Sequence, residues 1–346
     1  MINFKNDYSQ IAHQSIIEAL TKYQNESNNG YGLDQHSQHA TTLIKTLLGN
    51  NDVEIHYMVG GTSANKTVLT HLLKGYEAVI ACDTGHINVH ETGTIEASGH
   101  KVLVVPNHDG KMIAQDIVKI VQQHSDEHMV KPRAIYISNA TEIGTIYTKS
   151  ELISLRKVCD ELGLYLYLDG ARLGVAMASS TNDLTWHDLT TLCDVFYIGG
   201  TKNGAMLGEA VVIVNELLKA NFRYSIKQNG GMYSKGFVAG IQFECLFTDN
   251  RYLELASHAN QMSQHLYREM KNLGMLFKAS QVTNQIFPII KKEDLPFMKA
   301  NFLFEEWEQL DDEHMVIRFV TSWATTLEEV EDGITILKQY FKNKHS

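Results

Sequence analysis

Residues 164–174 read LYLYLDGARLG and residues 194–210 read DVFYIGGTKNGAMLGEA. Each opens with a short apolar and aromatic run broken by glycine, the mark of a buried strand rather than a helix. The first run ends in Asp169-Gly170-Ala171-Arg172 and the second in Gly199-Gly200-Thr201-Lys202. An acid and a lysine therefore emerge from two strand ends. In open α/β sheets ligands bind outside the carboxyl ends of the strands, so these polar residues are the first to weigh.

Working outward, similar runs recur at IHYMV (55–59), AVIACD (78–83), KVLVVP (101–106), AIYISN (134–139) and EAVVIV (209–214). Helical spacing lies between most of them, as in SIIEALTKYQNE (15–26), HATTLIKTLLGN (39–50) closed by Gly49, and a stretch from about Ala64 to Gly75. That alternation predicts an α/β fold with a mostly parallel central sheet covered on both faces. After residue 214 a long helical region, broken by QNGGMYSKG (228–236), runs to about Leu273. Beyond it QIFPIIK (285–291), NFLFEEWEQ (301–309) and MVIRFVTS (315–322) read as strands of a smaller sheet. TTLEEVEDGITILKQYFK (325–342) reads as a closing helix, with Thr325 and Glu328 spaced as a capping box. The expected organisation is an N-terminal arm over 1–14, a large α/β domain over 15–250 and a small α+β domain over 251–346. About two domains is what 346 residues suggest at ~150 residues each.

The formal charge of −10 and the absence of any stripe of Lys and Arg argue against nucleic acid as a partner. MINFKNDYSQ carries an acid and no apolar block, and no run approaches the ~18 apolar residues of a membrane span. Cys82, Cys159, Cys193 and Cys245 form no C-x-x-C pair and suit a reducing compartment, so the expected location is cytoplasmic.

The chemistry suggested by these parts is that of pyridoxal 5′-phosphate (PLP), which needs a lysine amine for a Schiff base, a carboxylate at the pyridine nitrogen and a phosphate cradle. Lys202 and Asp169 supply the first two. Gly60, Gly61 and Thr62 open a helix whose free N–H groups suit a phosphate. His86 suits stacking on the ring and moving a proton. Each has a blander counterpart: a solvated lysine, a helix-capping aspartate, a glycine loop of no function. Residues 60–67 also approach a P-loop, but Asn65 stands where its second glycine is needed. His86, His90 and Glu91 have ligand-like spacing, yet among 16 histidines no convincing third ligand appears, so no metal is expected.

GGTSANKTVL (60–69), GHINVHETG (85–93), ISNATEIGT (137–145), LYLDGARLG (166–174) and YIGGTKNGAMLGEA (197–210) occur in an order that resembles the low-specificity L-threonine aldolases. These are β-eliminating lyases of the fold-type-I, PLP-dependent transferase-like class. The resemblance runs from FKNDYS (4–9) to VIRFVTSWATT (316–326). It implies that Lys202 is the Schiff-base lysine, Asp169 the pyridinium partner and His86 the stacking histidine, with Gly61 and Thr62 at the phosphate and Thr201 beside the lysine. Arg172 and Arg318 would clamp the substrate carboxylate. Asn6 stands where many relatives have another residue near that carboxylate or the phosphate, and Lys227 would lie near the phosphate. Tyr31, Gly32 and Asp34 match a segment that reaches a neighbouring subunit's site, which implies a homo-oligomer, dimer or tetramer, acting on a small amino acid. The implied reaction is retro-aldol cleavage of a 3-hydroxy amino acid to glycine and an aldehyde. Another PLP reaction on the same fold, β-elimination or transamination, is the alternative. A metal-dependent hydrolase on His86, His90 and Glu91, or a PLP-binding protein without turnover, ranks below both.

Overall fold

The computed structural model describes residues 1–344. Its centre is a seven-stranded sheet in the order Glu54–Met58, Glu209–Ile213, Val195–Gly199, Tyr165–Asp169, Lys131–Ser138, Glu77–Cys82, Lys101–Val105. Glu209–Ile213 runs antiparallel to both neighbours and the remaining pairs are parallel. Glu77–Cys82, Val195–Gly199 and Glu209–Ile213 are buried along their whole length, which is why they read as continuous rather than alternating apolar runs.

Alternation reappears in what each strand residue packs against. Ile135, Ile137, Leu166, Leu168, Phe196 and Ile198 join the cluster that holds Ala40, Ile44 and Leu48 of the helix Gln35–Leu48 and Leu152, Leu155 and Cys159 of the helix Lys149–Leu162. Tyr136, Tyr167, Val195 and Tyr197 face the other way, onto Val68, Leu69 and Leu72 of the helix Gly61–Leu72 and Phe222 and Ile226 of Phe222–Gln228. Asp169 follows Tyr167 by two residues and belongs to this second face.

The smaller sheet is built around His314–Val320, which pairs antiparallel with Gln285–Ile286, Pro288–Lys291 and Glu305–Gln309. Residues at the chain start pack beside it: Ile2–Asn3 pairs in parallel with Phe302–Leu303 as a separate two-stranded sheet, and Phe4 lies in the core of Phe302, Phe319, Val330 and Ile334. The 22-residue helix Arg251–Asn272 spans both cores, with Tyr252 and Leu255 in the large one and Leu266 and Met270 in the small one.

Two local expectations shift. The helix expected from about Ala64 starts at Gly61, because Gly60, extended at φ 178°, already serves as its N-cap. The closing helix Leu327–Lys344 carries its reciprocal cap one residue later than the spacing suggested: Thr326 Oγ1 accepts from the Glu329 N–H (3.1 Å) and the Glu329 carboxylate accepts from the Thr326 N–H (2.8 Å). Thr325 instead accepts from the Ser322 N–H (2.8 Å) and closes the preceding turn.

Gly170 fixes the approach of the two deciding strands. A Cβ there would lie 1.7 Å from the Tyr197 carbonyl oxygen, so the backbone after Asp169 rests directly on the strand that leads to Lys202. Gly170→Ala is expected to destabilise the fold by about 3 kcal/mol or more, while Gly75→Ala, whose new methyl meets open space, changes it by less than about 0.5 kcal/mol. Chemical denaturation of both variants checks the contrast.

Candidate active site

Asp169 is 4% exposed and its carboxylate is saturated with donors. Oδ2 accepts from the Tyr136 hydroxyl (2.6 Å) and Asn65 Nδ2 (2.9 Å); Oδ1 accepts from the Tyr197 hydroxyl (2.5 Å) and the Ala171 N–H (2.9 Å). Burial alone would raise this carboxyl. The charge of His86 and the bonds from Tyr136, Tyr197 and Ala171 outweigh it and hold the group below the ordinary aspartate range.

Asn65 does more than fill the helix. Its Nδ2 hydrogens bridge two buried carboxylates, Asp169 and Glu91 (2.7 Å), and its Oδ1 accepts from the Tyr167 hydroxyl (2.7 Å). Glu91 Oε1 also accepts from His86 Nδ1 (2.8 Å). A planar amide with two donors suits that bridge, and the glycine of a P-loop would leave it unmade. The spacing that set nucleotide binding aside was therefore the signal for Asn65.

Lys202 follows the strand Val195–Gly199, and among the described residues its amine joins no hydrogen bond or ion pair. Burial, and next the Arg172 guanidinium, push its pKa below that of an ordinary lysine, against the opposing pull of Asp7, Asp169 and Glu209. Thr201 lines the same cleft but spends its hydroxyl on Gly208, accepting from its N–H at 3.0 Å. Gly60, Gly61 and Thr62 also line it, and no side chain caps the helix they open. The inner cleft of about 350 Å³ holds Asp169, Lys202, His86 and Arg172; the adjoining outer part, about 450 Å³, adds His90, Trp307 and Arg318. Both volumes fit a small-molecule site of ~300–1,000 Å³.

Arg172 is gripped by Asp7, with Nε donating to Oδ2 (2.7 Å) and Nη2 to Oδ1 (3.0 Å). Arg318, from the small sheet, stacks over Trp307 at 4.9 Å from the ring centre, and its Nε is buried without a partner. Burial, then repulsion from Arg172, push the Arg318 guanidinium down to about 10. Two guanidiniums lining one cleft make a place for a carboxylate.

Three expected residues stand apart from this group. Asn6 Oδ1 accepts from the Tyr8 N–H (3.0 Å) and the Ser9 hydroxyl (2.9 Å) of its own turn; the adjacent Asp7 is buried against Arg172, and Tyr8 is the residue of this segment that lines the cleft. Tyr31 is 46% exposed and, with Arg223 and Tyr233, lines a separate surface pocket; Lys227 Nζ lies 5.4 Å from the Tyr31 ring centre. Neither Tyr31 nor Lys227 lines the Lys202 cleft of its own chain. His86, His90 and Glu91 do not form a metal site: among the described residues no group of three metal-ligating side chains converges. Glu142 and Glu209, two further buried carboxyls lining the cleft, were not singled out from the sequence.

The family described as beta-eliminating lyase matches residues 12–293. The chain is 31% identical over 325 residues to the low specificity L-threonine aldolase of Pseudomonas aeruginosa, covering 89% of this chain and 90% of that one. It is 34% identical over 266 residues to that of a Pseudomonas species, with 75% of each covered. A solved threonine aldolase of Leishmania major superposes with TM-score 0.97 at 42% identity, covering 99% of this chain and 100% of the other. An aspartate aminotransferase of Thermus thermophilus shares the fold alone, with TM-score 0.72 at 13% identity over 98% of this chain and 91% of that one.

Glu209 gives the site a pH signature. Its Oε2 accepts from the Gly200 N–H (2.8 Å), but burial pushes the carboxyl up to about 7. Folding therefore takes up a proton between about 4.5 and 7. Glu209 favours the folded state below that window, and the contribution is lost as pH rises through 7. In cofactor-free protein, thermal melting of Glu209→Gln should lose this dependence, so the variant gains on the native chain between pH 5 and pH 8.

Proposed function

The chain belongs to the beta-eliminating lyase family, and on that premise we propose that it is a PLP-dependent aldehyde-lyase, splitting L-threonine- and L-allo-threonine-type 3-hydroxy amino acids into glycine and an aldehyde. The observation that carries the reading is the pairing, across two touching strand ends, of a buried ionised Asp169 with the unpartnered amine of Lys202. The fold is that of fold-type-I PLP enzymes.

The residues present fit the cofactor. A carboxylate held ionised in a buried site matches a protonated pyridine nitrogen, and uncapped N–H groups at Gly61 and Thr62 match a phosphate. When bound, PLP supplies the electron sink that allows a bond at the amino acid's Cα to break.

The chain's own groups do the rest. Lys202, whose burial pushes its pKa below that of an ordinary lysine, would be the attachment point. Arg172, oriented by Asp7, and Arg318, which lines the outer cleft, hold the substrate carboxylate; fixing that group decides which Cα bond stands aligned for cleavage. His86, which lines the cleft beside Lys202, would stack on the cofactor ring. With Nδ1 committed to Glu91, its Nε2 is the atom that moves protons at the substrate hydroxyl, directly or through water.

The exposed surface of Tyr31, Arg223 and Lys227 completes a neighbouring subunit's site in a homo-oligomer, which accounts for its distance from the Lys202 cleft of its own chain. The four free cysteines suit a reducing cytoplasm, and no described helix is long and apolar enough to cross a membrane.

Product analysis tests the reaction. L-Threonine incubated with the holoenzyme is expected to give glycine and acetaldehyde in equal amounts, whereas ammonia and a keto acid would assign β-elimination instead. Arg318→Leu should raise KM for L-threonine by roughly 10-fold or more, the loss of a charged hydrogen bond.

A further inference from the structure

Glu142 has no part in the reading above, yet it borders both halves of the cleft, beside His86, Arg172 and Lys202. It is 8% exposed. Its two oxygens differ. Oε1 accepts from the His86 N–H (3.0 Å) and the Ser138 hydroxyl (2.6 Å), which fix the carboxyl's position; Oε2 is bonded to no other residue, and the side chain lines both halves of the cleft. A buried carboxyl anchored through one oxygen and open through the other is arranged to receive a donor from a ligand.

The surrounding charges indicate which ligand group that is. Arg172 and Arg318 account for the α-carboxylate, and Lys202 marks where the α-nitrogen is held. Glu142 cannot join the carboxylate, which it would repel. It abuts His86, the residue assigned to the substrate hydroxyl, through the His86 backbone itself. Resting on the proposed lyase reading, we infer that Glu142 is the specificity-determining residue for the β-hydroxyl: its Oε2 accepts that hydroxyl's hydrogen bond, selecting 3-hydroxy amino acids over those that lack the hydroxyl and disfavouring acidic side chains. Burial, the main influence on this carboxyl, raises it above the ordinary glutamate range, partly offset by the Ser138 bond, so recognition should strengthen as pH rises.

The test is equilibrium binding to the holoenzyme, read from cofactor absorbance before turnover, with glycine, L-alanine and L-serine. L-Serine differs from L-alanine only by the β-hydroxyl. The native enzyme should prefer L-serine, and Glu142→Ala should weaken L-serine on the order of 10-fold while glycine and L-alanine stay within about 2-fold. Glu142→Gln keeps the shape and a weaker partner for the hydroxyl, so its preference should fall between the two; it decides the matter alone if the alanine variant does not fold. An unchanged serine-to-alanine ratio in the variants, or equal weakening of all three ligands, overturns the inference while leaving the lyase reading intact. A native enzyme whose absorbance responds to none of the three overturns both.

Discussion

The structure depends on keeping one carboxylate charged inside a protein core. Removing Asp169 from water opposes its ionisation, and four donors compensate: Tyr136, Tyr197, Asn65 and the Ala171 N–H. These come from the strands on either side of the one that ends in Asp169, from the turn that follows it and from the helix Gly61–Leu72, so the requirement reaches across the sheet. It explains tyrosines at central strand positions where an aliphatic side chain would pack as well. It also explains Asn65, whose amide joins the Asp169 and Glu91 carboxylates and thereby links the strand-end acid to His86. Replacing any one donor leaves a buried acceptor short of a partner, a cost of about 1–3 kcal/mol.

The small domain meets the large one over this same region. Asp7 couples the chain start to Arg172 and also accepts from Asn284 Nδ2 (3.0 Å), and His314–Val320 delivers Arg318. The carboxylate grip proposed for Arg172 and Arg318 thus draws on both domains, while the residues proposed to hold the cofactor lie in the large one. The helix Arg251–Asn272 ties the two cores together.

The sheet and its lysine and aspartate were legible in the sequence because short continuous apolar runs, closed by glycine and polar residues, mark buried strands and the points where they end. The small domain's strands were legible only in part: QIFPIIK and NFLFEEWEQ each read as one strand, and each divides in two, Gln285–Ile286 with Pro288–Lys291 and Phe302–Leu303 with Glu305–Gln309. What escaped was set by long-range contact. Nothing local distinguishes Asn6 from Asp7; only the position of Arg172 makes Asp7 the buried partner. The closing cap shifted by one because Thr325 and Thr326 are interchangeable in pattern and the Ser322 turn claims the first. Glu142 and Glu209 carry no motif of their own, and their burial appears only once strands and loops converge. By resemblance Lys227 was placed near the phosphate and Tyr31 at a neighbouring subunit's site; the two lie together on the chain's outer surface, away from the Lys202 cleft.

The central claim is that Lys202, and no other lysine, carries the cofactor. Borohydride reduction of the native protein saturated with PLP, followed by peptide mass mapping, tests it most directly. The account predicts a reduced pyridoxyl phosphate group on the peptide containing Lys202 and on no other in stoichiometric amount. Attachment at Lys227, or no attachment, would contradict it.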